Sequence, residues 1–180
     1  HGASGGVGLA AVDLGKLLGA RVIASSANPD KLKTLIRYGA DHVVLARPGF
    51  RDAVKELTDG KGVDVVFDPV GGETFEESVR ALAFDGRLLL IGFTAGRPGA
   101  VKTNHILIKA ISVMGVRAGE YGRQFPDRGR ENLAAIWDLA HAGKTRPRVH
   151  ASLPLADWRA AFSLMESRQL VGKVVLLPHA

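Results

Sequence analysis

The chain has 180 residues, of which 46% are hydrophobic and 23% charged, and it carries a formal net charge of +6. Such values are typical of one well-buried globular domain, and no apolar run approaches the roughly 18 residues that a membrane helix needs. The absence of cysteine excludes disulfides, thiolate catalysis and cysteine–zinc sites.

Helix and strand patterns alternate along the chain as far as Val116. Apolar residues at helical spacing predict helices over Leu9–Leu18, Pro29–Tyr38, Phe50–Thr58, Glu73–Phe84 and Asn104–Ala110. Short apolar segments between them predict strands over Arg21–Ala24, His42–Leu45, Val63–Asp68, Arg87–Gly92 and Ile111–Val116. Short strands separated by helices indicate an α/β fold, a doubly wound parallel sheet of the Rossmann-like class.

The pattern changes after Val116. Gly119–Gly129 is polar, basic and rich in turn residues, which predicts a surface loop before an amphipathic helix over Arg130–Ala142. A proline-marked link then leads to a strand, a helix and a last strand, over Val149–Leu153, Leu155–Arg168 and Lys173–Leu177. This tail either extends the sheet or belongs to a second structural unit.

The opening stretch of the chain is compatible with two kinds of site. Read as Gly2–Gly6, it matches G-x-S-x-G, the tight turn that exposes a hydrolase serine, here Ser4. Asp68 followed by His150 or His179 would give the order of the remaining triad residues. Gly8 has no role in such a turn, and this disfavours the hydrolase.

The same stretch also fits a turn that binds a dinucleotide. Gly5 lets a pyrophosphate approach the backbone, and Gly8 lets the following helix pack tightly on the sheet. The amides of Gly6 and Val7, at the helix N-terminus, can bind anionic oxygens. Ala3 stands where the strict G-x-G-x-x-G fingerprint has its first glycine, so the surrounding strand and helix pattern carries the interpretation.

The residues after the predicted strand Arg21–Ala24 bear on the choice between NAD and NADP. Sites that prefer NAD usually have Asp or Glu there to bind the ribose 2′-hydroxyl, whereas this chain has Ser25 and Ser26. Small hydroxyls leave room for a 2′-phosphate, and Lys31 supplies a counter-charge. The missing acid favours NADPH, although Lys31 and Lys33 could instead only solvate a helix face.

Glycine lies at or near the exit of the other predicted strands. Ligands of such sheets bind beyond the carboxyl ends of the strands, where glycine allows close approach to the backbone. Glycine also makes strand-to-helix turns in proteins that bind no ligand there. The candidate contacts at these exits are Val70 and Gly71, then Gly92, Phe93, Thr94 and Ala95, and finally Gly115, Val116 and Arg117.

The segments HGASGGVGLAAV, VDVVFDPVGG, DGRLLLIGF and GKVVLLP, in this order, resemble the zinc-independent quinone oxidoreductase branch of the medium-chain dehydrogenase/reductase superfamily. The resemblance implies NADPH-dependent hydride transfer to a quinone or to a C=C bond conjugated to a carbonyl. It places Ser4–Val7 at the pyrophosphate and Ser25 with Lys31 near the 2′-phosphate. It also places Gly92–Ala95 and Gly115–Arg117 around the nicotinamide.

The resemblance also implies a domain organisation. In the family, a first apolar strand and a GroES-like barrel precede the opening turn, so we expect the C-terminal portion of a longer protein. Residues 1–145 are then an NADPH-binding domain that lacks its first strand, and residues 146–180 return into the GroES-like catalytic domain. We expect a cytoplasmic homodimer with a small-molecule quinone or enone substrate, and no nucleic acid, membrane or metal as partner.

Related activities remain open. An enoyl or acyl-thioester reductase module of the same superfamily and a non-catalytic NADPH-binding sensor both fit the residues. A short-chain dehydrogenase is disfavoured, because neither Tyr38 nor Tyr121 has a lysine four residues later. No residue is identified as the catalytic acid or base.

Overall fold

The computed structural model describes residues 1–179, and every strand pairing within them is parallel. The helices are α1 Gly6–Leu17, α2 Leu32–Arg37, α3 Phe50–Leu57, α4 Gly72–Ala81, α5 Thr103–Lys109, α6 Ala118–Gln124, α7 Pro126–His141 and α8 Trp158–Glu166. The strands are β1 Ile23–Ser26, β2 His42–Leu45, β3 Val63–Asp68, β4 Leu82–Leu90, β5 Ser112–Gly115, β6 Val149–Pro154 and β7 Lys173–Leu177. The predicted α/β class with parallel strands is confirmed.

The chain forms two compact units. One unit, the terminal unit, contains residues 2–45 and 146–179, and the other, the central unit, contains His1 with Ala46–Thr145. The terminal unit holds the sheets β1–β2 and β6–β7, whereas the central unit holds the sheet β3–β4–β5. Each unit also has its own cluster of buried apolar side chains.

The terminal unit packs α1 and α2 on a small apolar core. Leu9 and Val12, three residues apart on one face of α1, are buried in this core. The other buried members of the cluster are Ala3, Ala24, Leu35, Ala40 and Val171. Burial of such side chains contributes about 1.5–3 kcal/mol for each large one. This cluster therefore joins the first segment of the chain to its tail, since Val171 lies two residues before the start of β7.

Hydrogen bonds from backbone and side-chain groups also attach the tail to residues 2–45 of the terminal unit. The amide of Gly172 donates to the carbonyl oxygen of Ser4 at 2.9 Å, and Gly5 and Gly172 form a parallel bridge. The hydroxyl of Tyr38 donates to the carbonyl oxygen of Arg146 at 3.1 Å. The assignment of residues 146–180 to a catalytic domain stays a prediction.

The central unit brings three strand ends to one edge of its sheet. Asp68 of β3 lies beside Leu90 of β4, which in turn lies beside Gly115 of β5. Helix α4 covers this sheet through Phe75 and Val79, both almost completely buried. Because neighbouring parallel strands end at the same edge, the segments that follow them are brought close together.

The boundary between α4 and β4 in the central unit differs from the sequence prediction. Glu73–Phe84 was expected to be one helix, but α4 ends at Ala81 and β4 begins at Leu82. Leu82 is completely buried and pairs with Val63 of β3, so tertiary burial outweighs the helical pattern. Asp85, with a φ of 61°, then bends the strand before its regular part.

The predicted surface loop over Gly119–Gly129 is wrong, since α6 and the first turn of α7 occupy this segment. Glu120 accepts hydrogen bonds from Arg123 and Gln124, at the three- and four-residue spacing that supports a helix. Pro126 stands in the first turn of α7, where its missing N–H costs nothing. These local contacts outweigh the turn-rich composition.

None of the helices within residues 1–179 combines the length and the apolarity that crossing a membrane requires.

Candidate functional site

The opening turn of the terminal unit presents the N-terminus of α1. The amide of Gly5 donates to the carbonyl oxygen of Gly2 at 3.0 Å, which closes the turn just before the helix. No side chain among residues 1–179 caps this helix end. The amides of Gly6 and Val7, in the first helical turn, have no acceptor within the helix, and they are therefore available to an anion.

Gly8 lets α1 lie against the segment that precedes it. A Cβ atom on Gly8 would lie 2.6 Å from the Cα atom of Ala3 and closer still to the carbonyl of Gly2. These atoms belong to the backbone and cannot turn aside, so a side chain here would push the helix away. A close approach of the helix therefore depends on glycine at this position.

The structure brings Ser4 and Ser26 together beside this turn. Their Oγ atoms lie 3.4 Å apart, within hydrogen-bonding distance, and the amide of Asn28 donates to the Ser26 hydroxyl at 3.2 Å. The carbonyl oxygen of Ser25 accepts from the amide of Ala3 at 2.9 Å, which places the end of β1 beside the turn. Ser25 and Ser26 are both buried.

Lys31 lies in the same unit, but its ammonium contacts the tail. Its Nζ atom donates to the carbonyl oxygens of Arg168 and Leu170, at 2.5 Å and 2.8 Å. Partial burial lowers the pKa of this ammonium from its ordinary value of 10.5. The role of Lys31 at a 2′-phosphate stays a prediction, and a phosphate there would have to compete with these two carbonyls.

Lys173 is a candidate site residue that the sequence interpretation missed. Its side chain lies across Gly6, since a Cβ atom on Gly6 would lie 2.6 Å from Cδ and 2.9 Å from Nζ of the lysine. Lys173 begins β7, directly after Gly172, whose φ of 92° is favoured only by glycine. The signal was the pair Gly172-Lys173 before an apolar strand, but its distance in sequence from Gly6 concealed the contact.

The central unit contains the second group of predicted contacts, at the strand edge described above. Oδ1 of Asp68 accepts from the amides of Val70 and Gly71 at 2.8 Å and 3.0 Å, which forms a turn after β3. The amide of Ala95 donates to the carbonyl oxygen of Val70 at 2.9 Å. The amide of Thr94 donates to the carbonyl oxygen of Pro69 at 3.1 Å. The exits of β3 and β4 therefore form one hydrogen-bonded pair of loops.

Gly71 and Phe93 contact each other within this pair of loops. Gly71 has a φ of 75°, and a Cβ atom there would lie 3.0 Å from Cδ1 of Phe93. The remaining predicted contacts follow β5, where the amide of Val116 donates to the carbonyl oxygen of Leu90 at 2.9 Å. Arg117, directly before α6, is exposed.

The parallel strands, their glycine-containing exits and the turn before α1 are together typical of the Rossmann-like α/β class. Residues 6–137 match the family described as zinc-binding dehydrogenase, and the chain belongs to this family. More particularly, it is 34% identical over 177 residues to quinone oxidoreductase-like protein 2 of Bos taurus. The alignment covers 97% of this chain and 50% of that protein. The predicted kinship with medium-chain quinone oxidoreductases is confirmed.

Other known proteins extend this comparison. The chain is 30% identical to 2-haloacrylate reductase of a Burkholderia species, with coverage of 100% of this chain and 55% of that protein. A mycobacterial structure in complex with NADPH superposes with a TM-score of 0.87 at 32% identity, covering 99% of this chain and 56% of that one. The structure of an NAD-dependent alcohol dehydrogenase superposes with a TM-score of 0.82 at 34% identity. This match covers 96% of this chain and 48% of that one. The chain thus spans about half the length of each of these four proteins.

The family description names zinc, so the side chains of this chain were compared with the donor set that a zinc site needs. Within residues 1–179 no three His, Asp or Glu side chains are grouped so that they could hold a metal ion, and the sequence has no cysteine. The described residues therefore do not offer a zinc donor set, and zinc enters no step of the function proposed below.

Proposed function

We propose that this chain binds the cofactor of an NADPH-dependent oxidoreductase that transfers a hydride to a quinone or to a C=C bond conjugated to a carbonyl. The observation that carries the proposal is the turn at Gly5 and Gly6, with an uncapped helix end and Lys173 across it. Ser4 and Ser26 add two hydroxyls beside this turn. Amides, hydroxyls and an ammonium are the donors that bind phosphate oxygens.

The residues of the terminal unit fit the phosphate-bearing part of a dinucleotide. In this proposal the amides of Gly6 and Val7 and the ammonium of Lys173 bind the pyrophosphate. The absence of a Cβ atom at Gly6 leaves the backbone open there, and the lysine side chain is long enough to move aside for a ligand. Ser25 and Ser26, with Lys31, are the proposed contacts of the ribose that carries the 2′-phosphate.

The central unit supplies the proposed contacts of the nicotinamide. Its loop pair is held by backbone hydrogen bonds from the amides of Thr94 and Ala95, which order the two loops against each other. A loop ordered in advance binds its ligand with a smaller entropic cost than a mobile one. The proposed contacts are Val70, Gly71, Gly92, Phe93, Thr94, Ala95, Gly115, Val116 and Arg117.

A bound nicotinamide supplies the hydride, and this chain contributes binding, orientation and exclusion of water. Phe93 is about half exposed, at 48%, so its ring is available to a ligand at the loop pair. We assign no described side chain as the acid. Protonation of the product is therefore proposed to come from solvent or from a group outside the described residues.

The preference for NADPH over NADH has its own support. The segment from Ser25 to Asn28 has no carboxylate that would repel a 2′-phosphate. One similar structure was solved in complex with NADPH, whereas another is named as NAD-dependent, so the fold accommodates both cofactors. Ser25 and Ser26, at the end of β1, therefore carry the argument for NADPH.

The experiment that tests the proposal is a titration of the full-length protein with NADPH and with NADH, followed by nicotinamide fluorescence. We expect NADPH to bind at least about tenfold more tightly, a difference of about 1.4 kcal/mol. Equal affinities would contradict the argument from Ser25 and Ser26. Failure to bind either cofactor would contradict the proposed function as a whole.

A second candidate is reduction of the C=C bond of an unsaturated acid or thioester rather than of a quinone. The similarity to 2-haloacrylate reductase favours it. Oxidation of NADPH with a panel of one quinone, one enone, one unsaturated acid and one enoyl thioester separates these activities. Binding of NADPH without oxidation by any of the four would favour the non-catalytic sensor instead.

A further inference from the structure

We propose that Asp68 is a positioning residue, which holds the turn at Val70 and Gly71 in the conformation that binds the nicotinamide end of the cofactor. The inference rests on the proposed function, because it assumes that this turn contacts the cofactor. Asp68 itself is assigned no contact with cofactor or substrate. It acts through the backbone of the turn.

The first observation is the hydrogen bonding of a completely buried carboxylate. Asp68 ends β3 with 0% of its surface exposed, and its Oδ1 atom accepts from the amides of both Val70 and Gly71. Two amides directed at one oxygen set the orientation of the two peptide groups that follow the strand. The carboxylate therefore determines which way the turn faces.

The second observation is the other oxygen of the same carboxylate. Oδ2 of Asp68 is buried and has no hydrogen-bond partner among residues 1–179. A buried polar atom without a partner costs stability, whereas the two amide bonds to Oδ1 and the charge of the His1 amino group favour the carboxylate. A buried carboxylate that leaves one oxygen unpaired while it organises a turn requires an explanation beyond packing.

The third observation is that the turn is connected to the neighbouring strand exit. The carbonyl oxygen of Val70 accepts from the amide of Ala95, and the ring of Phe93 lies against Gly71. A reorientation of the peptide groups at Val70 and Gly71 therefore also moves the loop after β4. One buried carboxylate in this way controls two of the three loops that are proposed to contact the nicotinamide, those after β3 and β4.

The test compares three variants of the full-length protein by their dissociation constant for NADPH and their melting temperature. Asp68→Ala removes both acceptor oxygens, whereas Asp68→Asn keeps an oxygen at the position of Oδ1. Ser78→Ala is the matched control, since Ser78 is also completely buried in the central unit. Its hydroxyl hydrogen-bonds with the carbonyl oxygen of Thr74 and with Nε2 of His1, and not with the amides of the turn.

A positioning role predicts that Asp68→Ala raises the dissociation constant for NADPH by about tenfold or more. Asp68→Asn restores it to within about threefold of wild type, because amides still have an acceptor. Ser78→Ala lowers the melting temperature and leaves the dissociation constant unchanged. Circular dichroism and near-ultraviolet spectra identify any variant that does not fold. If Asp68→Ala does not fold, Asp68→Glu takes its place, because its carboxylate is displaced by one methylene from the two amides and should weaken NADPH binding likewise. Wild-type affinity of a folded Asp68→Glu would then overturn the inference.

The outcomes separate this inference from the proposed function. If wild type binds NADPH and the folded Asp68→Ala binds it equally well, Asp68 is only structural and the inference is overturned. The same conclusion follows if Asp68→Asn binds as weakly as Asp68→Ala, since the retained oxygen would then have no effect. If wild type binds neither NADPH nor NADH, the proposed function itself fails.

Discussion

The side chain of Lys173, at the start of β7, lies across the backbone of Gly6, at the start of α1. The two residues belong to opposite ends of the chain and meet within the terminal unit. The contact places a positive charge at a helix N-terminus, and both features favour an anion. Lys173 therefore joins the residues proposed from the sequence as a contact of the pyrophosphate.

Replacement of this lysine tests its proposed role. We expect Lys173→Met to weaken NADPH and NADH binding by a similar factor of about tenfold, since both cofactors carry the pyrophosphate. Lys144→Met removes the same charge from an exposed lysine and should leave both affinities unchanged. Fluorescence titration at low and high salt is the measurement. Equal affinity of Lys173→Met and wild type for both cofactors would contradict the assignment.

The close approach at Gly8 predicts a pair of alanine variants with opposite outcomes. Gly8→Ala should lower the free energy of unfolding by about 1–3 kcal/mol, because its Cβ atom meets backbone atoms of Gly2 and Ala3. Gly15 lies in the same helix, and its Cβ atom would meet only Cγ2 of Val22, at 3.1 Å. Gly15→Ala should therefore change stability by less than about 1 kcal/mol. Urea denaturation provides both values.

Lys31 has an observed role in the tail and a proposed role at the cofactor, and one variant measures both. Lys31→Met should cost about 1 kcal/mol of stability, because the carbonyl oxygens of Arg168 and Leu170 lose their donor. If Lys31 also contacts the 2′-phosphate, NADPH affinity falls while NADH affinity stays the same. Lys33→Met, which changes an exposed lysine of α2, is the control. A parallel loss of both affinities would argue against the phosphate contact.

Asp41 predicts a pH dependence of stability. Hydrogen bonds from Nζ of Lys16 and from the amide of Val22 hold the pKa of the Asp41 carboxyl below its ordinary value of 3.8. A carboxyl whose pKa is lowered by folding stabilises the protein above about pH 4. That contribution is lost as the pH falls through the lowered pKa of the folded state.

The corresponding measurement is the melting temperature between about pH 2 and pH 7. Asp41→Asn should melt at a lower temperature than wild type at neutral pH, and the two curves should converge at the acidic end. Asp138→Asn, on the exposed face of α7, should remain parallel to wild type throughout. A constant difference between Asp41→Asn and wild type across the range would contradict the predicted linkage.

Much of the fold could be predicted from the sequence, because local patterns carry it. Strands β2, β3 and β7 begin and end at the predicted residues, since each is a short apolar run bounded by turn or polar residues. The helix–strand boundary at Leu82 could not be predicted in the same way. Its burial against β3 depends on residues distant in sequence, and the local helical pattern continued past it.

The candidate site likewise contains features that local sequence determines and features that depend on tertiary packing. The sequence by itself predicted the glycine turn that is proposed to bind phosphate, because glycines and serines at short spacing act through local backbone geometry. It also determined the family, through motifs in their order along the chain. The tertiary structure alone decided the position of Lys173 on Gly6 and the attachment of Lys31 to the tail. Such contacts depend on how distant segments pack, and no local pattern encodes them.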